Sequence, residues 1–288
     1  MHENPAPWSE VNGPALPSLF VSHGAPLLAV APGRAGNCLA ALGAHLPRPA
    51  AIVVISAHWE TRRPAVTAVA QPVTIHDFHG FPAALYELRY PAPGAPGLAA
   101  RVAQALETAG LETDLDPVRG LDHGAWVPLL LMFPNADVPV LQVSVQPGAT
   151  PEHHWAVGRA LAPLCRQGVL VMGSGSITHN LGDAHPEAED TGEAAYSREF
   201  REWIAGAVAA GDTARVLRWA REAPHARRAH PTDEHFVPLL VAMAAGADGA
   251  RHERLHAGVT FGVVGMDHYL FGAEHLQGNS LGMQQKET

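Results

Sequence analysis

Short apolar runs alternate with longer helix-like stretches along this chain, and this alternation limits the possible folds more than any other feature. The run 51–57 (AIVVISA) is typical of a strand that is buried on both faces of a sheet. The predicted strands are 16–22, 51–57, 65–70, 138–145, 169–172 and 260–264, and the predicted helices are 34–46, 98–109, 126–133, 153–166, 194–210, 213–222 and 233–245. The alternation predicts an α/β fold. We expect a mostly parallel central sheet, helices on both faces, and the active site at the carboxyl ends of the strands.

We expect one domain over residues 16–274, with tails at 1–15 and 275–288. A chain of 288 residues is within the range of a single large domain. Its apolar runs are far shorter than the ~20 residues that a membrane-spanning helix needs. The N-terminus lacks the pattern of a secretion signal, and two cysteines do not make a disulfide framework. These features predict a cytoplasmic protein.

The charge balance excludes several classes of partner and chemistry. With 19 Lys and Arg against 28 Asp and Glu, the net charge is −9, so neither nucleic acid nor a membrane is an expected partner. The single lysine, Lys286, lies in the predicted C-terminal tail, which excludes a phosphate-loop or Schiff-base lysine. Histidine, in contrast, occurs 18 times. Imidazole is the commonest protein metal ligand and the usual acid or base near neutral pH.

Several histidines follow predicted strands. His23 and His58 come directly after the runs 16–22 and 51–57, and His179 follows the strand at 169–172 and a Gly-Ser turn. His235 is expected in the first turn of helix 233–245, with Thr232 as its N-cap. Ligands of open α/β sheets bind beyond the carboxyl ends of the strands, so these imidazoles are aimed at one crevice. They predict a Zn(II) or iron site; the alternative is that each is an ordinary core or capping histidine.

His123 opens a short helix, and its position allows two interpretations. It is either a helix-start histidine held by Asp122 or an acid–base group oriented by that neighbour. The residues alone leave both open.

Other histidine motifs are weaker. The stretch 252–256 (HERLH) matches the H-E-x-x-H pattern of metalloproteases, which works only on a helix. Gly249 and Gly258 bracket this stretch, so we expect a solvated loop instead. His153 and His154 are expected on the surface.

Taken together, several sequence blocks resemble the class III extradiol ring-cleaving dioxygenases, of the DOPA 4,5-dioxygenase type within the LigB-like superfamily. The blocks are 22–26 (SHGAP), 55–60 (ISAHWE), 77–82 (DFHGFP), 90–94 (YPAPG), 120–129 (GLDHGAWVPL), 173–176 (GSGS), 179–181 (HNL) and 230–235 (HPTDEH). They occur in the family's order over most of the chain.

The resemblance implies roles for individual residues. His23, His58 and His235 resemble the metal ligands. His179 resembles a fourth ligand of zinc-loaded members or a catalytic histidine, and His123 resembles the acid–base group. The wider superfamily has a glutamate where this type shows His235, so the neighbouring Glu234 is an alternative third ligand.

The implied activity is the opening of a catechol-type, DOPA-like aromatic ring with O2. Fe(II) is expected for activity, and Zn(II) can occupy the same ligands without redox chemistry. The segment 262–267 departs from the family pattern, so it bears on substrate choice if it borders the pocket. Two alternatives remain: a Zn(II) hydrolase that uses the same histidines, or a superfamily member that has kept the fold without the chemistry.

Overall fold

The computed structural model describes residues 15–185, 192–248 and 252–272, and in this part of the chain the fold is built around an eight-stranded sheet. The strands are β1 (Ser18–Ser22), β2 (Ala51–Glu60), β3 (Ala65–Thr67), β4 (Asp114–Asp116), β5 (Val140–Val145), β6 (Val169–Gly175), β7 (His252–His256), β8 (Val259–Thr260), β9 (Val264–Gly265) and β10 (His268–Phe271). The helices are α1 (Gly33–His45), α2 (Ala83–Glu87), α3 (Pro96–Thr108), α4 (His123–Met132), α5 (Pro151–Cys165), α6 (Ala195–Ala209), α7 (Thr213–Leu217), α8 (Trp219–Glu222), α9 (Ala226–Ala229) and α10 (Val237–Ala245). A 3-10 helix (Pro26–Ala29) precedes α1.

The sheet has the strand order β4-β3-β5-β2-β6-β1-β10-β7. Its four central strands, β5, β2, β6 and β1, run parallel. At one edge β10 and β7 continue antiparallel, and at the other β3 pairs antiparallel with β5 and parallel with β4. Parallel neighbours need crossover connections, which the helices supply. The predicted single α/β domain with a mostly parallel central sheet is confirmed.

Helices cover both faces of the central strands, as neighbouring residues of β6 show. A Cβ atom added at Gly173 would lie 2.1 Å from the backbone oxygen of Pro238, which belongs to α10. The hydroxyl of Ser174 instead donates to the backbone oxygen of Gly124, which belongs to α4. Successive residues of a strand point to opposite faces, so β6 lies between α10 and α4. All residues of β5 and β6 are buried, which explains their continuous apolar sequences.

The carboxyl ends of β1, β2 and β6 lie together at one edge of the sheet. Ser22 at the end of β1 pairs with Gly175, and Ser56 near the end of β2 pairs with Ser174. The segments that follow these strands therefore begin side by side.

The predicted helix 233–245 begins later than expected, because α10 starts at Val237. Thr232 is therefore not its N-cap, and that prediction was wrong. The backbone oxygen of Asp233 accepts from the N–H of Val237 at 3.1 Å, which closes a turn ahead of the helix. His235 lies in this turn and not in the first turn of the helix.

Two segments near the C-terminus also differ from expectation. The predicted strand 260–264 is a tight β8–β9 hairpin, because Phe261 (φ 54°) and Gly262 (φ 73°) both adopt the left-handed conformation. The stretch 252–256 is strand β7, paired with β10, and not the solvated loop that we predicted. A strand cannot supply the helical geometry of a zincin motif, so the rejection of that motif is confirmed.

Smaller differences concern helices and termini. Helix 213–222 is divided at Arg218 into α7 and α8. His154, predicted on the surface, is buried in α5. The tails 1–15 and 275–288 fall outside the described residues apart from residue 15, and so does Lys286. Among the helices of the described ranges, none is both long and apolar enough to span a membrane.

Candidate active site

Five histidines gather at the carboxyl edge of the sheet. His23 follows β1, His58 lies near the end of β2, His123 begins α4, His179 follows β6, and His235 precedes α10. Backbone hydrogen bonds tie these segments together. The N–H of His23 donates to the oxygen of Gly175 (3.1 Å), and the N–H of Ser176 donates to the oxygen of His235 (2.9 Å).

The rings of His23, His58 and His235 form a compact triangle. Their centroids are 4.8 Å apart for His23 and His58, 5.4 Å for His23 and His235, and 5.0 Å for His58 and His235. The Nε2 atoms of His23 and His58 are 2.9 Å apart. Residues more than 170 positions apart are thus brought into one pocket, since His58 and His235 both belong to it.

The outer nitrogen of each ring faces a polar partner. Nδ1 of His23 lies 3.0 Å from the hydroxyl of Ser174, and Nδ1 of His235 lies 2.8 Å from the carboxylate of Glu234. Because the Ser174 hydroxyl itself donates to a backbone oxygen, it accepts from His23, whose Nδ1 carries the proton. The Glu234 carboxylate likewise makes Nδ1 the protonated nitrogen of His235. Both rings therefore present an unprotonated Nε2 to the pocket.

The inward nitrogens fit a divalent cation. His235 Nε2 is buried and has no hydrogen-bond partner among the described residues. Burial and the neighbouring imidazoles hold the pKa of His23 and His235 well below the usual histidine value, and they lower the pKa of His58 to about 4. These rings are therefore neutral at pH 7. Neutral imidazoles gathered in one pocket are a donor set for zinc or iron, and this fits the sequence-predicted metal site.

His179 joins the cluster through its contact with His235. Its ring stacks on His235 with centroids 3.5 Å apart and planes 10° apart. Ligating atoms of His179, Glu234 and His235 lie within 4.8 Å of one another, as do those of the group formed by His23, His58 and His123. Burial, outweighing the charge of Glu234, lowers the pKa of His179. Glu234 faces the outer nitrogen of His235, which is the position of a supporting residue for that ring.

His123 lies against the triangle, but its partner is not the one we expected. Its ring is centred 4.0 Å from that of His58. Its Nδ1 lies 3.0 Å from Oδ1 of Asp77, and the same oxygen accepts from its backbone N–H at 2.9 Å. The Asp122 carboxylate points elsewhere: it caps α4 through Ala125 and accepts from the hydroxyl of Ser56 at 2.6 Å. Asp122 therefore does not hold the His123 imidazole, and that expectation was wrong.

Asp77 is the site residue that sequence reasoning missed. It lies in an irregular loop that a single bridge between Thr74 and Leu121 aligns with the start of α4. Burial opposes its ionisation, but the hydrogen bonds and charge of His123, with the charge of His58, lower its pKa to about 2. In the sequence it is part of the block 77–82 (DFHGFP), to which the family resemblance assigned no role.

Aromatic side chains pack beside His123. The ring of Phe78 meets His123 edge-on, with centroids 5.8 Å apart. Phe81 and Tyr86 pack against Phe78 at 5.4 Å and 5.1 Å. This aromatic cluster adjoins His123 and suits a flat aromatic ligand.

The segment that departs from the family pattern borders the site. A Cβ atom at Gly24, which follows His23, would lie 2.7 Å from the terminal methyl of Met266. Gly24 also has φ 57°, a conformation that glycine adopts without strain. Met266 therefore contacts Gly24, the neighbour of the predicted ligand His23.

Comparison with known proteins identifies a family for this chain. The chain matches the family described as the catalytic LigB subunit of aromatic ring-opening dioxygenase over residues 35–272. That interval includes His58, His123, His179 and His235, whereas His23 lies ahead of it.

Individual proteins are also similar over most of their length. A Beta vulgaris protein named 4,5-DOPA dioxygenase extradiol is 42% identical over 258 residues, covering 88% of this chain and 96% of that protein. A protein of the same name from Escherichia coli K12 is 38% identical over 236 residues, covering 80% and 85%. The crystal structure of an uncharacterized Escherichia coli K12 protein superposes with a TM-score of 0.74 at 30% identity, covering 89% of this chain and 100% of that one.

Proposed function

This chain belongs to the family of the catalytic LigB subunit of aromatic ring-opening dioxygenase, and we propose that its histidine cluster opens the ring of a DOPA-like catechol with O2. The chain is an extradiol ring-cleaving dioxygenase and metal-dependent. Its substrates are an aromatic compound and O2. The substrate class and the roles of individual residues are our proposals.

The observation that carries the proposal is the orientation of the three central imidazoles. His23 and His235 turn Nδ1 outward to Ser174 and Glu234, and Nε2 of His23 faces Nε2 of His58. With Nε2 of His23 unprotonated, the proton between these two atoms belongs to His58, and binding of a cation by both nitrogens releases it. His23, His58 and His235 are therefore the proposed ligands.

Fe(II) is the proposed metal for activity. When bound, a redox-active ion of this kind allows ground-state O2, a triplet, to react with a catechol. Zn(II) suits the same nitrogen ligands but has no redox chemistry, so zinc occupancy alone would give no turnover. Glu234, engaged with Nδ1 of His235, supports that ligand and is not itself the third one.

His123 is the proposed acid–base group. Asp77 faces its Nδ1, which leaves Nε2 to take a proton from a catechol hydroxyl and to return it during ring opening. The Phe78 ring packs edge-on against it. His179 contributes to the same centre, as a fourth ligand when zinc is bound and as a second proton-transfer group when substrate is bound.

The DOPA-like substrate is inferred from the relatives and from the pocket. Proteins named 4,5-DOPA dioxygenase extradiol are similar over most of the chain. The wall of Phe78, Phe81 and Tyr86 offers an apolar surface for the aromatic ring of such a substrate.

We also propose a cytoplasmic location, with neither nucleic acid nor a membrane as partner. Burial raises the pKa of the Cys38 thiol to about 11 and that of Cys165 to about 12, so both remain protonated and unreactive. Such thiols are typical of proteins kept in a reducing compartment.

Anaerobic reconstitution of the full chain tests the function. Metal-free protein is loaded with Fe(II), and O2 uptake is followed with a panel of catechols that includes DOPA, together with the absorbance of the ring-opened product. Uptake stoichiometric with product is expected for the Fe(II) protein, and none for the Zn(II) protein. Metal binding without O2 uptake for any catechol, combined with zinc-dependent hydrolysis, would instead support the hydrolase alternative.

A further inference from the structure

Asp77 makes three contacts within the histidine cluster. Its Oδ1 accepts from the backbone N–H of His123 (2.9 Å) and lies 3.0 Å from Nδ1 of the same residue. Its Oδ2 lies 3.7 Å from Nδ1 of His58. One carboxylate therefore faces the outer nitrogens of both the proposed acid–base group and a proposed ligand.

The acid next to His123 in sequence cannot take this role, because its carboxylate is already occupied. Asp122 is fully buried and accepts from the hydroxyl of Ser56, the guanidinium of Arg119 and the side-chain amide of Gln142. It also accepts from the backbone of α4 as the N-cap. The Asp122 carboxylate is thus bound by groups beneath the site, whereas the Asp77 carboxylate faces the imidazole of His123.

We propose that Asp77 is the positioning residue of His123: it holds the proton on Nδ1 and keeps Nε2 unprotonated and aimed at the substrate. The proposal rests on the acid–base role of His123 proposed above. The two contacts to one residue act together, because the backbone contact fixes the start of α4 while the side-chain contact selects the tautomer. A carboxylate that accepts an imidazole N–H also stabilises the imidazolium formed when Nε2 takes a proton.

The first test compares Asp77→Asn and Asp77→Glu in the full chain at saturating Fe(II). Asparagine retains an oxygen for the backbone N–H but loses the charge, so kcat is expected to fall by about 10- to 100-fold while KM changes little. Glutamate keeps the charge and is expected to recover part of kcat. The control is Asp116→Asn, because Asp116 is also partly buried and accepts two backbone N–H groups, from Val118 and Arg119. It should match wild type. An Asp77→Asn enzyme with wild-type kcat would overturn the proposal.

A double-mutant cycle separates positioning from general stability. If Asp77 acts through His123, adding Asp77→Asn to His123→Gln should lower the residual kcat by less than about threefold, because the partner is already lost. If Asp77 only supports the fold, the two losses should multiply, and the proposal fails. Thermal denaturation of each variant confirms that the compared proteins are folded.

A third measurement does not depend on turnover. Nitrogen-15 NMR of the imidazoles in the zinc-loaded protein reports which ring nitrogen of His123 carries the proton. We expect a single Nδ1–H tautomer in wild type and a tautomer mixture in Asp77→Asn. An Nε2–H tautomer in wild type would overturn the inference. If wild type shows no O2 uptake with any catechol but keeps the Nδ1–H tautomer, the proposed function fails while the positioning contact stands.

Discussion

At the residue scale, the outer nitrogens of two central imidazoles are held by hydrogen bonds. Ser174 and Glu234 take Nδ1 of His23 and His235, so that the inner nitrogens carry lone pairs. The proposed roles of ligand and acid–base group therefore differ in the partner of the outer nitrogen. The two proposed roles can be tested by truncating one proposed ligand and the proposed acid–base group.

His58→Ala and His123→Ala should have opposite effects on metal and turnover. Loss of a ligand should weaken metal binding by more than the ~100-fold that loss of an outer partner can cost. Loss of the acid–base group should keep metal affinity but reduce turnover by about 10²- to 10⁴-fold. Metal analysis of the purified proteins and O2 uptake at saturating Fe(II) measure the two effects. Equal loss of metal from both variants would contradict the assignment.

The sequence was sufficient to predict which histidines meet but not which acid supports them. His23, His58 and His179 could be found because strand ends of a parallel sheet share one edge. Asp77 could not, because it lies in an irregular loop whose path depends on one bridge between Thr74 and Leu121. The nearest acid in sequence, Asp122, was the wrong partner because it caps the helix that His123 begins.

At the element scale, the site depends on how closely α4 approaches β2. A Cβ atom at Gly124 would lie 2.5 Å from the hydroxyl oxygen of Ser56 and 3.0 Å from the ring of His58. Only glycine permits this approach, so the second residue of α4 sets the distance between the proposed acid–base group and a proposed ligand.

Gly124→Ala should therefore displace α4 from His58. Overpacking of this kind costs about 1–3 kcal/mol, so we expect a lower Tm and weaker metal binding. Gly206→Ala is the matched control, because Gly206 lies in α6 and a Cβ there meets nothing within 4 Å. That change should leave metal affinity unaltered and raise stability by up to about 1 kcal/mol. Calorimetry and zinc titration of both variants give the comparison; a Gly124→Ala protein that binds zinc like wild type would refute the argument.

Element boundaries were the part of the fold that sequence patterns predicted least well. Thr232 followed by two acids is typical of a helix start, but a turn closed by Asp233 holds 233–236 outside the helix. The polar stretch 252–256 is a strand because β10 supplies the hydrogen bonds at the sheet edge, which no local pattern shows. Central strands were easier, since burial on both faces leaves a continuous apolar run.

At the scale of the whole molecule, the cluster joins distant parts of the chain, so metal binding should stabilise the fold. A ligand at 100 times its Kd adds about 2.7 kcal/mol if it binds only the native state. Zn(II) should therefore raise the Tm of the metal-free protein, and His235→Ala should lose most of that rise. Thermal scans with and without zinc test this. An equal rise in His235→Ala would place the bound zinc elsewhere.

Buried neutral histidines outside the cluster should make the free energy of unfolding depend on pH. Burial lowers the pKa of His154 and His230 to about 4 and that of His268 to about 3. His268 shows why its charged form is unfavourable: Nδ1 accepts the backbone N–H of Ser22 at 3.2 Å, while Nε2 donates to the oxygen of Ala35. A proton on Nδ1 would break the first of these hydrogen bonds.

The native state should lose stability as the pH falls, because it binds fewer protons than the unfolded chain. Histidine in the unfolded chain has a pKa of about 6.5, so below that pH the unfolded state binds protons that the native state does not. Stability contributed by these residues is fully present above about pH 6.5 and is lost as the pH falls toward 4. The urea midpoint of the metal-free protein should therefore fall steeply across that interval. His154→Gln, which removes one buried titrating group, should flatten the slope, whereas His45→Gln on the exposed end of α1 should not. Identical slopes for wild type and His154→Gln would show that buried His154 does not contribute to acid unfolding.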